Sequence, residues 1–157
     1  MRNPYEVVGL ADDLSYFFVT DSGHHYRAYF LEMSSYMPSF KNVYTFNLEQ
    51  EENKPHPVDL RIASTVFSIL KRFFENKENG VLYICDTSDG RGLNRKHLFD
   101  KWFRLFNDGN ALKFDAQAQT PDYLITASII LLKQNHNITR LVRDFYALVA
   151  NGMLPED

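Results

Sequence analysis

Two carboxylates, two glycines and three basic side chains cluster in one short stretch of the chain. The acids are Asp86 and Asp89, and the basic residues are Arg91, Arg95 and Lys96. Guanidinium and ammonium groups bind phosphate oxygens through charge-assisted hydrogen bonds. The stretch therefore predicts an anion site held by the three basic residues and oriented by one of the acids. The alternative is a glycine-containing turn in which the acids only cap a helix and pair with the arginines.

Hydrolytic chemistry has weaker support in the residue types. Two-metal hydrolysis needs three or four converging carboxylates, and Asp21, Asp86 and Asp89 form an incomplete set. The single cysteine, Cys85, lies in an apolar run and is expected to be a buried, inert thiol. We expect no metal site, because no histidine pair has the spacing of a zinc motif; the histidines lie at positions 24, 25, 56, 97 and 136.

Composition places these residues in a single globular domain covering residues 1–157. Hydrophobic residues make up 45% of the chain and charged residues 24%, as in ordinary folded domains. The net charge of -3 argues against nucleic acid as the main partner. Without a signal sequence or a spanning apolar segment, we expect a cytoplasmic, bacterial-type protein that does not enter a membrane.

Hydrophobic periodicity predicts an α/β, mixed α+β fold. An antiparallel meander comes first, followed by helix, strand, helix, two strands and a last helix around one mixed central sheet. The predicted strands cover residues 16–20, 25–30, 43–49, 81–85, 111–119 and 123–133.

The helical segments separate these strands. The first predicted helix starts at Val58, after a loop with two prolines, and the last runs over residues 138–149. Residues 81–85 are continuously apolar, which is typical of a strand buried on both faces. The second helix is expected to bury an apolar column, consisting of Leu98, Trp102, Leu105 and Phe106 with Phe99 and Phe103 alongside.

This order of elements resembles the acyl-CoA N-acyltransferase (GNAT-like) superfamily over roughly residues 16–135, without the two helices that normally lie between its first strands. The resemblance implies that a cofactor would enter where the strands before Val58 and at Val81 splay apart. It also implies that the cofactor pyrophosphate would bind backbone N–H groups of a glycine-rich loop opening the first long helix.

The loop pattern of that superfamily falls on Val58, Arg61 and Ala63, and only Ala63 matches it. The resemblance therefore implies Arg61 and Ala63 as cofactor-binding residues. Arg61 places a guanidinium side chain where the superfamily has a glycine that lets the backbone approach the pyrophosphate. Phe99 stands where the superfamily commonly has a proton-donating tyrosine. We expect a binding or interaction module without acetyl transfer and without a cofactor, whose partner is an unknown protein or a small anionic ligand.

Two other functions remain as alternatives. In an active acyl-CoA N-acyltransferase, Arg61 would clamp the phosphates of acetyl-CoA and Glu49, or water, would deprotonate the amine. A ribonuclease H-like fold has a similar order of elements, and would use Asp86, Asp89 and Asp21 as a metal-dependent nuclease. The chain also resembles an uncharacterised family from Bacteroides-type bacteria through residues 82–91, which implies no activity.

Overall fold

A computed structural model describes residues 3–10, 14–52, 59–86, 90 and 92–152. Ten elements lie within these residues. They are β1 (Val8–Leu10), β2 (Ser15–Val19), β3 (His25–Glu32), β4 (Val43–Gln50), α1 (Leu60–Phe73), β5 (Gly80–Asp86), α2 (Gly92–Phe106), β6 (Ala111–Gln119), β7 (Leu124–Leu132) and α3 (Ile138–Ala150).

The described strands form one seven-stranded mixed sheet in the order β1-β2-β3-β4-β5-β7-β6. Neighbouring strands are antiparallel except for β4 and β5, which run parallel. A parallel pair needs a crossover connection, and α1 supplies it. The predicted mixed α+β class is confirmed, and so is the strand at 111–119.

Strand β1 was not predicted from the sequence. It has three residues, too few for alternation to be recognised, and it pairs only with β2 at the edge of the sheet. Gly9 lies opposite Tyr16, where an added Cβ would come within 3.1 Å of the tyrosine ring. The glycine therefore allows the ring to pack over the edge strand.

Helices α1 and α2 cover one face of the sheet, which we call the covered face. The Asp59 side chain caps α1 by accepting a hydrogen bond from the Arg61 N–H. The apolar side of α1 packs on rings of the meander, and Phe73 stacks on Phe30 with centroids 4.1 Å apart. Burial of such rings contributes much of the stability of a small domain.

Helix α3 lies on the opposite face, over the β5, β6 and β7 half of the sheet. Phe145 and Leu141 of α3 are fully buried against β7, in a second core cluster that also contains Phe40 from the β3–β4 connection. The two clusters are separated by the sheet, so the α1 and α3 cores are built from alternate residues of β5 and β7.

The predicted apolar column of α2 is wrong at two of its positions. Leu98 is 47% exposed and Leu105 59% exposed, whereas Phe99 is buried. Trp102 and Phe103 are half-buried. Because the apolar residues of this predicted column spread over nearly half of the helix circumference, spacing alone could not decide which part of that arc faces the sheet.

Strand β5 is buried as predicted, with Val81, Leu82 and Cys85 inaccessible and Tyr83 half-buried. Gly80 begins the strand where an added Cβ would lie 2.8 Å from Leu131.

Within the described residues, no helix is long and apolar enough to span a membrane.

Candidate functional site

The parallel strands β4 and β5 separate along their length. They pair only at their first residues, with Thr45 opposite Leu82 as the last pair in the described chain. Beyond this point β4 remains paired with β3 and β5 remains paired with β7. The two strands therefore separate toward their carboxyl ends. We call the resulting opening in the sheet the β4–β5 split.

Aromatic side chains fill the covered face of the β4–β5 split. Phe99 of α2 stacks on Tyr83 of β5 with ring centroids 4.1 Å apart. Phe46 of β4 lies 6.3 Å from Phe99 and 6.4 Å from Tyr83, and Phe67 of α1 lies 6.2 Å from Phe99. Strands and helices on both sides of the opening thus pack onto one buried ring, Phe99.

The amino end of α1 is occupied by groups of the chain itself. The Asp59 carboxylate accepts hydrogen bonds from the Arg61 N–H at 2.9 Å and from the Tyr5 hydroxyl at 2.5 Å. The Tyr5 N–H donates to Thr65 Oγ1 at 2.8 Å. An anion approaching this helix end would compete with a carboxylate that already caps it.

The Arg61 side chain is held on three sides. Its Nη1 lies 2.9 Å from the Asp21 carboxylate, its Nε donates to the Asn3 carbonyl at 3.0 Å, and its guanidinium stacks over the Tyr5 ring at 3.9 Å. Ala63, the other predicted cofactor residue, is fully buried. Arg61 therefore fastens the amino-terminal segment and the β2–β3 turn to α1.

Two tyrosine hydroxyls near this helix end have raised pKa values. Burial raises the pKa of Tyr5, and its hydrogen bond to Asp59 raises it further. Burial, followed by the charges of Asp59 and Glu52, raises the pKa of Tyr26 to about 12. Both tyrosines stay protonated at neutral pH, so they act here as hydrogen-bond donors or packing groups.

Glu49, predicted as a base in the acyltransferase alternative, lies on the face of the sheet opposite α1. Its carboxylate accepts a hydrogen bond from the Tyr29 hydroxyl at 2.8 Å and lies 3.9 Å from the Arg27 guanidinium. The Arg27 guanidinium also stacks over the Tyr29 ring at 4.1 Å. Glu49 therefore belongs to a surface network and is separated by the sheet from the rings that fill the split.

The predicted anion site is only partly covered by the described residues. Asp89 and Arg91 lie outside them, as does the side chain of Asp86, whose backbone ends β5. Arg95 is half-buried on α2. Lys96 is paired with Asp100, at 2.6 Å. The anion site, like the nuclease alternative built on the same acids, stays a prediction.

Asp100 joins α2 to the edge strand β6. It also binds the ammonium of Lys113 at 2.6 Å, and the Lys113 side chain is only 8% exposed. Burial acts to raise the pKa of Asp100, but hydrogen bonds from Lys113 and Lys96 outweigh it and leave that pKa lowered. Asp115, bound by the Ser128 hydroxyl, contacts Lys113 as well. This network, which includes Lys96, joins α2 to strands β6 and β7 of the sheet.

Sequence reasoning missed the exposed face of the meander as a candidate surface. Alternation in β3 predicts one more polar face, yet Leu31 and Val19 on that face are large, apolar and exposed. The signal that could have found it is the presence of Val19 and Leu31 at positions that alternate with the buried residues of β2 and β3.

Residues 58–147 match a protein family described as "Family of unknown function (DUF6169)". The matched region spans α1, β5, α2, β6, β7 and most of α3. No curated protein and no solved structure matches the chain. Since more than half of the chain is matched, the protein belongs to the DUF6169 family.

Proposed function

We propose that the protein is an interaction module that resembles the acyl-CoA N-acyltransferases in its sheet and does not use their cofactor. The observation that carries this proposal is the filling of the β4–β5 split. In the superfamily the cofactor enters between these two strands, and here Phe99 and Tyr83 occupy the covered side of that opening. A thioester arm would have to displace the buried Phe99 ring from its stack on the half-buried Tyr83 ring.

The amino end of α1 supports the same conclusion. A pyrophosphate there would need free backbone N–H groups and close access to them. Asp59 already caps the helix, and Arg61 is engaged by Asp21 and Tyr5. If Arg61 bound a phosphate, it would have to give up its ion pair with Asp21 and its contact with the Tyr5 ring, and these contacts hold the amino-terminal segment.

The partner surface that we propose is the open face, the side of β1–β4 opposite α1. On this side α3 packs on β6 and β7 of the described chain, and its buried cluster reaches the meander only at Val43, at the start of β4, and in the β3–β4 connection. Its exposed apolar residues are Val8, Val19 and Leu31, with exposed fractions of 62%, 49% and 55%. Removing such apolar area from water contributes about 25 cal/mol per Å², so a partner that covered these side chains would gain binding energy.

Two further residues give the open face the character of a protein-binding surface. Arg27 and Tyr29 are of the types enriched at protein interfaces. Their stacking, together with the bond from Tyr29 to Glu49, holds both side chains in place before binding. Preorganised side chains lose less entropy when a partner binds, which favours binding of a partner at these two residues.

Site-specific photo-crosslinking in cells tests the proposal without knowing the partner. A photoreactive amino acid placed at Leu31 should give a discrete crosslinked species, and Tyr29→Ala should weaken it. The matched control is the same probe at Leu105, an equally exposed leucine on α2. No species at position 31, or the same species at both positions, would contradict docking on the open face.

The second candidate function is acyl transfer from a coenzyme A thioester, and the existence of the split favours it. For this function the rings at Phe46, Tyr83 and Phe99 would have to separate on binding. Calorimetric titration with coenzyme A and acetyl-CoA distinguishes the two functions, because an interaction module should give no saturable binding at millimolar ligand.

A further inference from the structure

Three potential metal ligands from two backbone segments converge at one end of the open face. His25 begins β3, and Glu51 and Glu52 directly follow β4. One ligand atom from each residue lies within 4.8 Å of the other two. The sequence did not predict this group, because the ligands come from paired strands and not from a spaced motif along one segment.

The backbone fixes these residues relative to one another. The Glu51 N–H donates to the His25 carbonyl at 2.9 Å, which continues the pairing of β3 with β4. The His25 N–H donates to both carboxylate oxygens of Glu52, each at 3.0 Å, and His25 Nδ1 lies 2.5 Å from Glu52 Oε1. The imidazole and one carboxylate are therefore already together.

Charge and donor type both suit a divalent cation. With a neutral imidazole, the two carboxylates leave the group with two negative charges, and no hydrogen bond or ion pair with another described residue engages the Glu51 side chain. One nitrogen and two carboxylate oxygens are ligands that zinc accepts at about 2.0–2.2 Å, which places two ligands of a tetrahedral ion about 3.4 Å apart. Zinc binding would require the His25 Nδ1 and Glu52 Oε1 atoms, now 2.5 Å apart, to separate around the ion while the Glu51 carboxylate, within 4.8 Å, moves toward it.

We propose that His25, Glu51 and Glu52 form a zinc-binding site that ties the start of β3 to the chain segment leaving β4. Three protein ligands leave the fourth tetrahedral position to water at this exposed place. Imidazole nitrogen among the ligands selects zinc over magnesium, which prefers oxygen ligands and gives up its own water reluctantly. The zinc site does not depend on the proposed function, because zinc binding requires neither the β4–β5 split nor a bound partner.

The test is calorimetric titration of chelator-treated protein with zinc chloride at pH 8, followed by thermal melting with and without zinc. The wild type should bind one zinc with a saturable rise in melting temperature, because a ligand that binds only the folded state stabilises it. Glu51→Gln should weaken binding at least tenfold. This variant keeps the His25–Glu52 pair and so leaves the fold unchanged.

The matched control is His136→Ala. His136 is also an exposed histidine beside a carboxylate, with its Nδ1 2.6 Å from Glu78 Oε1, but it has no third metal-binding residue near it in the described chain. This variant should bind zinc like the wild type. Wild-type affinity in both His25→Ala and Glu51→Gln, or an equal loss in His136→Ala, would overturn the site. Equal stabilisation by magnesium would also overturn it.

Discussion

The two faces of the meander use similar side chains in different ways. On the covered face, Phe30 stacks on Phe73 of α1, and Phe18 stacks on Tyr26 within the sheet. On the open face, Tyr29 stacks on Arg27, and neighbouring Leu31 remains exposed to solvent. Strand alternation therefore decides which residues share a face of the sheet, whereas the helices decide which face becomes part of the core.

The largest expected effect is on the covered face, at the β4–β5 split. Phe99→Ala would remove the ring on which β4, β5 and α1 pack, and should lower the free energy of unfolding by about 3–5 kcal/mol. Denaturant unfolding measures it. Leu105→Ala, on the exposed side of the same helix, should change the free energy by less than about 0.5 kcal/mol. Equal effects of the two variants would contradict the packing described for the split.

The amino end of α1 should show a smaller effect. Arg61→Ala removes an ion pair whose Asp21 partner is well exposed and a cation–π contact with Tyr5. We expect the loss of these contacts to lower the free energy of unfolding by about 1–2 kcal/mol. Hydrogen exchange should accelerate at the Tyr5 amide, which donates to Thr65. Unchanged exchange there would show that Arg61 does not hold the amino-terminal segment.

On the open face the expected change in stability is smaller still. Leu31→Asp should alter the free energy of unfolding by about 0.5 kcal/mol or less, because the leucine is exposed in the free protein. It should nevertheless abolish crosslinking from a probe at Val19. Leu105→Asp serves as the control and should leave that crosslinking intact. Loss of crosslinking in both variants would remove the distinction between the two surfaces.

The smallest effect concerns the pH dependence of stability at the edge of the open face. The hydrogen bond from His25 lowers the pKa of Glu52 to about 2 from 4.5, and the bond to Glu52 raises the pKa of His25 above 6.5. The Glu52 contribution is present above pH 4.5 and is lost as the pH falls toward 2. The His25 contribution is present below pH 6.5 and is lost as the pH rises through its raised pKa.

The pair therefore stabilises the fold most between about pH 4.5 and 6.5. In zinc-free buffer, the melting temperature of the wild type should exceed that of His25→Ala by the widest margin in this window. Glu52→Gln should reproduce the same profile. A difference that grows steadily toward pH 9 would contradict this account of the pair.

Local patterns in the sequence were sufficient to predict most of the fold. Alternation predicted β3 to within two residues of its observed bounds, and helical spacing predicted the start of α1 to within two residues. The end of α1 was predicted at Asn79, but the helix ends at Phe73. Leu98 and Leu105 were misplaced because they lie at one edge of a wide apolar arc on α2, and packing against Tyr83 selects the part of that arc that contains Phe99. The hydrophobic pattern alone could not predict which residues of α2 are buried, because burial there depends on tertiary contacts with the sheet.

The candidate site was less predictable, for a related reason. Arg61 was recognised as bulky in the wrong place for a cofactor, but its partners Asn3, Tyr5 and Asp21 are remote in sequence. The convergence of His25 with Glu51 depends on the register of β3 against β4. Contacts of this kind require strand pairing, which residue types and spacing within one segment do not specify.

We propose that Phe46, Tyr83 and Phe99 occupy the place that the thioester arm of an acyl-coenzyme A would take between β4 and β5. Calorimetric titration of the protein with coenzyme A tests this proposal. We expect no saturable heat up to millimolar ligand. Saturable binding that is weakened by Arg61→Ala would contradict it, because that residue would then be contacting phosphate instead of holding Asp21.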